Sequence, residues 1–230
     1  MPFLIHPVSN TELHRASTIE AAAYASNPLN PLLFPGPFPP DALQKRVDSL
    51  IRMRQEDSTA VYTQAIDSVS RRMVAFAKWH VYGTHEACLL PARALEFGPG
   101  TSPEACRMFF GGLVQRKSEL VGGRPHVCMS APGRGVAPVH LLTGGPDLHM
   151  LHTDPAFQRQ GAGSALLGCV KRKADELGLP IYLESSAAAH AFYRRHGFED
   201  VEVLFLDFSK FGGMERYEQP LMIREPSGAQ

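Results

Sequence analysis

The chain lacks an excess of charge of either sign. Lys and Arg number 23, Asp and Glu number 23, and the formal net charge is 0. Proteins that hold nucleic acid or an anionic membrane surface normally carry a basic surplus, so neither partner is expected. No apolar run approaches the ~20 residues that a spanning helix needs. The first ten residues have no charged n-region followed by a long apolar stretch, and Pro7 interrupts them early. No targeting signal is read there, and a cytoplasmic location is expected. Cysteine is scarce: Cys88, Cys106, Cys128 and Cys169 are scattered, with no Cys-x-x-Cys pair. That spacing argues against a zinc site and against a disulfide framework, so no metal is expected. No repeat of ~20–50 residues is seen, which sets solenoids and propellers aside.

What is present is ordinary globular material, 44% apolar and 20% charged over 230 residues. One decorated α/β domain spanning 1–230 is the expectation. Residues 3–6 read as a short strand. Asn10 or Thr11 then opens a helical pattern carried by Leu13, Ala16, Ile19 and Ala23. Six prolines crowd 27–40, a density that no helix or central strand should survive. The same stretch carries Leu29, Leu32, Leu33, Phe34 and Phe38, so it reads as a packed loop, either covering core or walling a substrate. Asp41 is read as the cap of a helix over 42–54, and 60–66 and 73–81 as strands. Trp79 and His80 end the second of these. Together 1–81 form an amino-terminal section. Periodicity then fades over 82–146, with a helical piece at 103–120, and this span reads as a long insertion.

From Asp147 the signal sharpens. Residues 147–153 look like a strand, and Asp154-Pro155 ends it. Gln158-Arg159-Gln160-Gly161-Ala162-Gly163-Ser164 follows, then a helix with Leu166, Leu167, Val170, Ala174 and Leu177 on one face. Gly178 and Pro180 stop it. Strand, glycine-containing turn and helix amino terminus form an anion site, because first-turn N–H groups are unpaired and the helix dipole adds positive charge. Glycine at 161 and 163 lets a phosphate approach the backbone. A dinucleotide fingerprint would need glycine where Leu166 stands, and a P-loop would need Gly-Lys-Ser/Thr. Both are rejected. Further on, 181–184 read as a strand, and a short helix runs into Tyr193-Arg-Arg-His-Gly197-Phe198. Gly197 is placed to end that helix, and Phe198 to begin another strand through Val201, Val203 and Phe205.

Gln158, Gly161 and Gly163 in Gln-x-x-Gly-x-Gly, linked to Tyr193, Gly197 and Phe198 in Tyr-x-x-x-Gly-Phe, resemble the GNAT family of acetyl-CoA-dependent acyltransferases. The resemblance is clear over 147–207, which it marks as an acyl-CoA-binding core, with 208–230 as a closing strand and tail. It implies a twisted mixed sheet with splayed central strands, flanked by helices, and with acetyl-CoA as co-substrate in the gap. Carried over by position, the backbone of Leu151, His152 and Thr153 would bond the pantetheine arm. Gln158, Arg159, Gln160, Gly161, Ala162, Gly163 and Ser164 would cradle the pyrophosphate. Tyr193 would stand near the thioester sulfur and protonate the leaving thiolate.

An alkyl amine is almost all ammonium at neutral pH, so a base is required. In some relatives a carboxylate four residues before the pantetheine-binding strand end serves. Here that place is Asp147, read either as the base or as a turn residue after Gly144-Gly145-Pro146. Glu184 is a further candidate base, with a satisfied structural carboxylate as its plainer reading. Lys171, Arg172, Lys173, Arg194 and Arg195 are read as a solvated face or as contacts to the adenosine 3′-phosphate. Tyr62, Trp79 and His80 are candidates for an acceptor pocket or for core. The expected activity is N-acetyl transfer to a small-molecule amine by direct attack in a ternary complex. A non-catalytic acyl-CoA sensor and an acetyltransferase of protein tails are the alternatives. Dimers are common in the family, and a homodimer is left open.

Overall fold

The computed structural model describes residues 3–89, 97–129 and 151–228. Eight strands make one sheet: β1 (Phe3–Pro7), β2 (Ala60–Asp67), β3 (Met73–Tyr82), β4 (His126–Cys128), β5 (Leu151–Thr153), β6 (Ile181–Glu184), β7 (Glu199–Leu206) and β8 (Tyr217–Arg224). Their order is β1-β2-β3-β4-β6-β8-β7, and β5 also pairs with β3. All pairings are antiparallel except the parallel pair β4–β6.

Helices cover both faces. On one lie α1 (Leu13–Tyr24), the single turn α2 (Asn30–Leu33), α3 (Ala42–Glu56) and α5 (Pro103–Val121); α4 (His85–Leu89) follows β3. On the other lie α6 (Ala162–Leu177) and α7 (Ala187–Arg195). Alternation along the strands divides the core accordingly. Ala75, Ala77, Trp79, Val127, Ile181 and Leu183 pack beneath α6 and α7. Phe76 and Tyr62 face α1 and α3, while Tyr82, Cys128, Tyr182 and Leu221 face α5. A buried bidentate pair between Arg46 and Glu20, at 2.8 and 2.9 Å, ties α3 to α1. Arg224 holds Asp175 in the same manner and ties β8 to α6.

Local details depart from the sequence expectations for identifiable reasons. The first helix is opened by Ser9, whose backbone N–H donates to the Glu12 carboxylate at 2.7 Å in a Ser-x-x-Glu capping box, rather than by Asn10 or Thr11. The proline-dense stretch does hold a helical turn, α2, because Pro31 sits in its first turn, where a missing N–H costs nothing. Asp41 makes no side-chain cap: its backbone, at φ −93° and ψ 7°, is not extended, and its carboxylate pairs with Lys45 instead.

The central irregularity is in the strand line beside β3. Cys128 of β4 lies opposite His80, and Leu151 of β5 lies opposite Ala77. Only Lys78 and Trp79 separate those two places on β3, against 22 residues on the other side. β4 and β5 are therefore two halves of one strand line, broken by about 20 additional residues. This corrects the insertion boundary: 82–146 contains α5 and a strand of the sheet, and the interruption falls after β4.

Candidate active site

Past the break, neighbouring strands part. The amide of Met129 donates to the Tyr182 carbonyl at 2.9 Å, the last bond between β4 and β6. Among the described residues, β5, which continues the line, pairs with β3 alone, and Leu183 and Glu184 pair with β8 alone. The expected splay is present. The Asp154 amide bonds Val74, so antiparallel alternation turns the backbone groups of Leu151 and Thr153 toward the open gap. His152 contributes only backbone there, since its ring is buried on the opposite face, edge-on to Tyr24 at 5.1 Å.

The gap leads to the start of α6. Arg159 and Gly161 both take left-handed conformations, with φ 60° and 96°. The first intrahelical bond runs from the Ala165 amide to the Gly161 carbonyl, and no side chain caps the helix. The amides of Ala162, Gly163 and Ser164 are thus the unpaired donors that an anion requires. A Cβ on Gly163 would stand 3.5 Å from Thr153 Oγ1 and 3.8 Å from Leu151 Cδ2, so any longer side chain would enter the cradle beside β5. The side chain of Gln158 donates to the Thr153 carbonyl at 3.3 Å, and that of Gln160 to the Ala156 carbonyl at 3.0 Å. These glutamines fix the turn from within. Arg15 on α1 secures the turn's other end through Asp154 at 2.5 Å. The residues present fit a CoA pyrophosphate.

Tyr193 lies on this same side, buried and edge-on to Phe192 and Phe198. Burial raises its pKa well above that of an ordinary phenol. Among the basic residues, Lys171 donates to the His196 carbonyl at 2.9 Å and Arg194 reaches Asp200 at 3.4 Å, so both have protein partners.

The opposite face carries buried polar side chains. Glu184 is 1% exposed, and its Oε1 has no hydrogen-bond partner. Burial and the neighbouring Cys128 raise its carboxyl pKa well above the usual range, against the opposing pull of Lys117. The Tyr182 side chain beside it is buried as well, and its hydrogen bond to the carboxylate also works against that rise. Both sequence readings of Glu184, as a base and as a structural carboxylate, start from this buried position. Lys117 on α5 lies 5.1 Å from the centre of the Tyr82 ring. Burial would discharge it, but Cys128, Tyr82 and Glu184 hold it charged. His80 bonds Thr59 Oγ1 at 3.0 Å and faces Asp57 at 3.3 Å. Burial lowers its pKa to about 4 despite that carboxylate. Burial raises Asp57 too, but hydrogen bonds from His80 and Thr59 outweigh it and hold the carboxyl low. Tyr62 donates to the Leu50 carbonyl and Trp79 is core on the α6 side, so neither stands as a pocket residue.

The expectation for Asp147 falls outside the described residues. The sequence reading missed Lys117. Its signal was present, a lysine in the helical stripe of Cys106, Phe109, Phe110, Leu113 and Val121. Among the described residues, no cluster of three or more potential ligands could hold a metal, and no helix is long and apolar enough to cross a membrane.

The sheet is mixed, opens between β5 and β6, and leads to a helix amino terminus that no side chain caps. Residues 126–200 match the family model described as "Acetyltransferase (GNAT) domain", which begins where β4 begins. An uncharacterized N-acetyltransferase of Schizosaccharomyces pombe is 35% identical over 79 residues, 34% of this chain and 33% of the relative. The chain thus spans about a third of that relative's length. A solved "histone acetyltransferase HPA2 and related acetyltransferase" from Corynebacterium glutamicum is 18% identical, with a TM-score of 0.59 over 99% of this chain and 98% of that one. A phosphinothricin acetyltransferase from Sinorhizobium meliloti, solved with AcCoA, is 11% identical, with a TM-score of 0.56 over 100% and 93%. Over residues 126–200 the chain is thus similar to the GNAT acetyltransferase family, and its overall fold is similar to that of solved members.

Proposed function

We propose that the protein transfers an acetyl group from acetyl-CoA to the amine of a small-molecule acceptor, in one ternary complex. The carrying observation is the unpaired gap between β5 and β6, which runs directly to the free amides of Ala162, Gly163 and Ser164. Acetyl-CoA supplies a thioester, an acyl group already activated toward amines. The backbone of Leu151 and Thr153 holds the pantetheine arm, and Arg159 to Ser164 hold the pyrophosphate.

Glu184 takes the proton from the acceptor ammonium. Its burial makes it a stronger base than an exposed carboxylate, which suits that task near neutral pH. The freed amine forms the C–N bond as the C–S bond breaks, and CoA departs as a thiolate. Tyr193 donates a hydrogen bond to that sulfur. A phenol with a raised pKa gives up its proton reluctantly. Its part is therefore to stabilise the developing charge, and the thiolate collects its proton afterwards from water or Glu184. A small acceptor is favoured because the polar groups facing the site are buried side chains, and because the balanced charge offers no acidic track for a basic tail.

Calorimetric titration with acetyl-CoA, CoA and NAD tests the first half of this reading. Micromolar binding of acetyl-CoA without NAD is expected, followed by CoA thiol release with an amine. Absence of acetyl-CoA binding would remove the reading. Binding without turnover of any amine, peptide tails included, would leave a sensor module in its place.

A further inference from the structure

The carboxyl end of α7 meets the amino end of α6 at one histidine. His196 is the C-cap residue of α7, and its amide donates to the Tyr193 carbonyl at 2.9 Å. Its Nε2 lies 3.1 Å from Oγ of Ser164, in the first turn of α6. Two turns further along that helix, Lys171 donates to the His196 carbonyl at 2.9 Å, so backbone and ring are both tethered to α6. Phe192 packs on the imidazole with ring centres 4.6 Å apart, and a Cβ on Gly163 would stand 3.7 Å from the same Phe192. The ring is thus held at the edge of the cradle, in contact with one of the three residues whose amides await an anion. The charged groups that bear on it are Lys171 of α6, Arg195 of α7 and, past Gly197, Arg224 of β8, which Asp175 of α6 already neutralises. Burial, Lys171 and Arg195 lower its pKa below the ordinary 6.5, so without an anion beside it the ring is neutral at neutral pH. The helix end acts the other way, since a cation there meets the negative pole of the α7 dipole.

We propose that His196 is a proton-coupled member of the cradle: a pyrophosphate bound at the α6 amides draws a proton onto its imidazole, so that acyl-CoA binds more tightly as the pH falls through neutrality. This rests on the acyl-CoA reading of the cradle, and adds to it a residue and a pH dependence. The hydrogen bonds run in one direction. The Ser164 hydroxyl has a single proton, and it can give that proton to a phosphate oxygen while still bonding the ring only if Nε2 donates in turn. An imidazolium, a donor at both nitrogens, always does so. Its charge then lies one side chain away from the two negative charges of a pyrophosphate, and an opposite charge at such range shifts a pKa by about one to three units. The free ring titrates below 6.5 and the liganded ring above its free value. Between those two values binding takes up a proton from solvent, and affinity is lost as the pH rises, about tenfold for each pKa unit that separates them.

The probe is 3′-dephospho-CoA, because the 3′-phosphate of CoA itself titrates near pH ~6 and would contribute a proton of its own. Its pyrophosphate keeps the same charge across the range. Calorimetric titrations from pH ~6 to ~8, each in two buffers of different ionisation heat, are made with the unaltered protein and with His196→Gln, which can still bond Ser164 but does not titrate. For the unaltered protein Kd is expected to rise about tenfold or more across that range, with roughly half a proton or more taken up per ligand at its lower end. In His196→Gln the profile should be flat to about twofold, with that uptake gone. An unaltered protein without uptake, or a His196→Gln profile that matches it, would overturn the proposal. Should the variant not fold, the assigned imidazole resonances of His196 in the unaltered protein decide: a titration that 3′-dephospho-CoA moves to higher pH upholds the coupling, and one that stays in place removes it. Binding with a flat profile removes only the part of His196. If neither CoA nor 3′-dephospho-CoA binds at any pH, the acyl-CoA reading falls and this one with it.

Discussion

On the α6 side of the sheet, the proposed recognition is built from backbone: strand-edge groups of Leu151, the Thr153 amide, and the amides of Ala162 to Ser164. On the α5 side it is built from side chains that arrive from four separate elements, Lys117, Tyr82, Cys128 and Glu184. Backbone donors are indifferent to sequence except where a conformation or a close approach excludes a side chain. The cofactor half can therefore be shared widely while the residues around it drift. The acceptor half is free to change by single substitutions without disturbing the cradle. A histone acetyltransferase and a phosphinothricin acetyltransferase on this fold differ in acceptor, as that division allows.

The contrast can be broken from either side. Gly163→Trp should remove acetyl-CoA binding, by at least about 100-fold in Kd, by filling the space next to Thr153 and Leu151; Gly163→Ala, whose Cβ meets only ordinary contacts, serves as the folded control. Unchanged affinity in a folded Trp variant would show that the cradle is not where the pyrophosphate lies. Glu184→Gln should act on the other half, lowering turnover by roughly 10²- to 10⁴-fold, the usual range for loss of a general base, with acetyl-CoA affinity kept. If both fall together, the two faces are not separable.

His80 offers a stability counterpart. Its pKa in the folded chain is about 4, below the ordinary 6.5, so between those values the unfolded chain binds a proton that the folded chain refuses. Stability should therefore fall as the pH drops from 6.5 toward 4, by at most about 3 kcal/mol at ~1.4 kcal/mol per pKa unit. Asp57, held low, adds its own loss only below the ordinary carboxylate range. Urea midpoints at several pH values, compared between the unaltered protein and His80→Asn, should show a shallower slope in the variant. The smallest effect is expected for Tyr193→Phe, about tenfold in kcat with unchanged CoA affinity, since only one hydrogen bond to the sulfur is lost. Equal turnover would remove Tyr193 from the chemistry.

The two halves also differ in how far the sequence revealed them. The turn at Gly161 and the terminators Gly178 and Gly197 were readable because each has positive φ, a local demand that glycine meets. The order of strands and helices around them followed from periodicity. The broken line beside β3 was not readable, because strand register depends on a partner some 50 to 75 residues away, and the span 82–146 consequently read as a single insertion. Nor could the state of Glu184 be foreseen. Whether a carboxylate is satisfied depends on what α5 and β4 bring beside it, and chain spacing does not encode that. Lys117 was visible as a polar residue in an apolar stripe, but helix phase alone does not say what it faces.

The break between β4 and β5 has a consequence for how this chain can vary. Each half is held by its own ladder to β3, so the register on either side does not depend on the length of what lies between. Doubling or halving such a connection changes its closure entropy by only about 0.6 kcal/mol. Length at that one point is thus nearly neutral for stability. Insertions and deletions among relatives should collect there, and a foreign segment spliced between Met129 and Leu151 should leave the sheet intact.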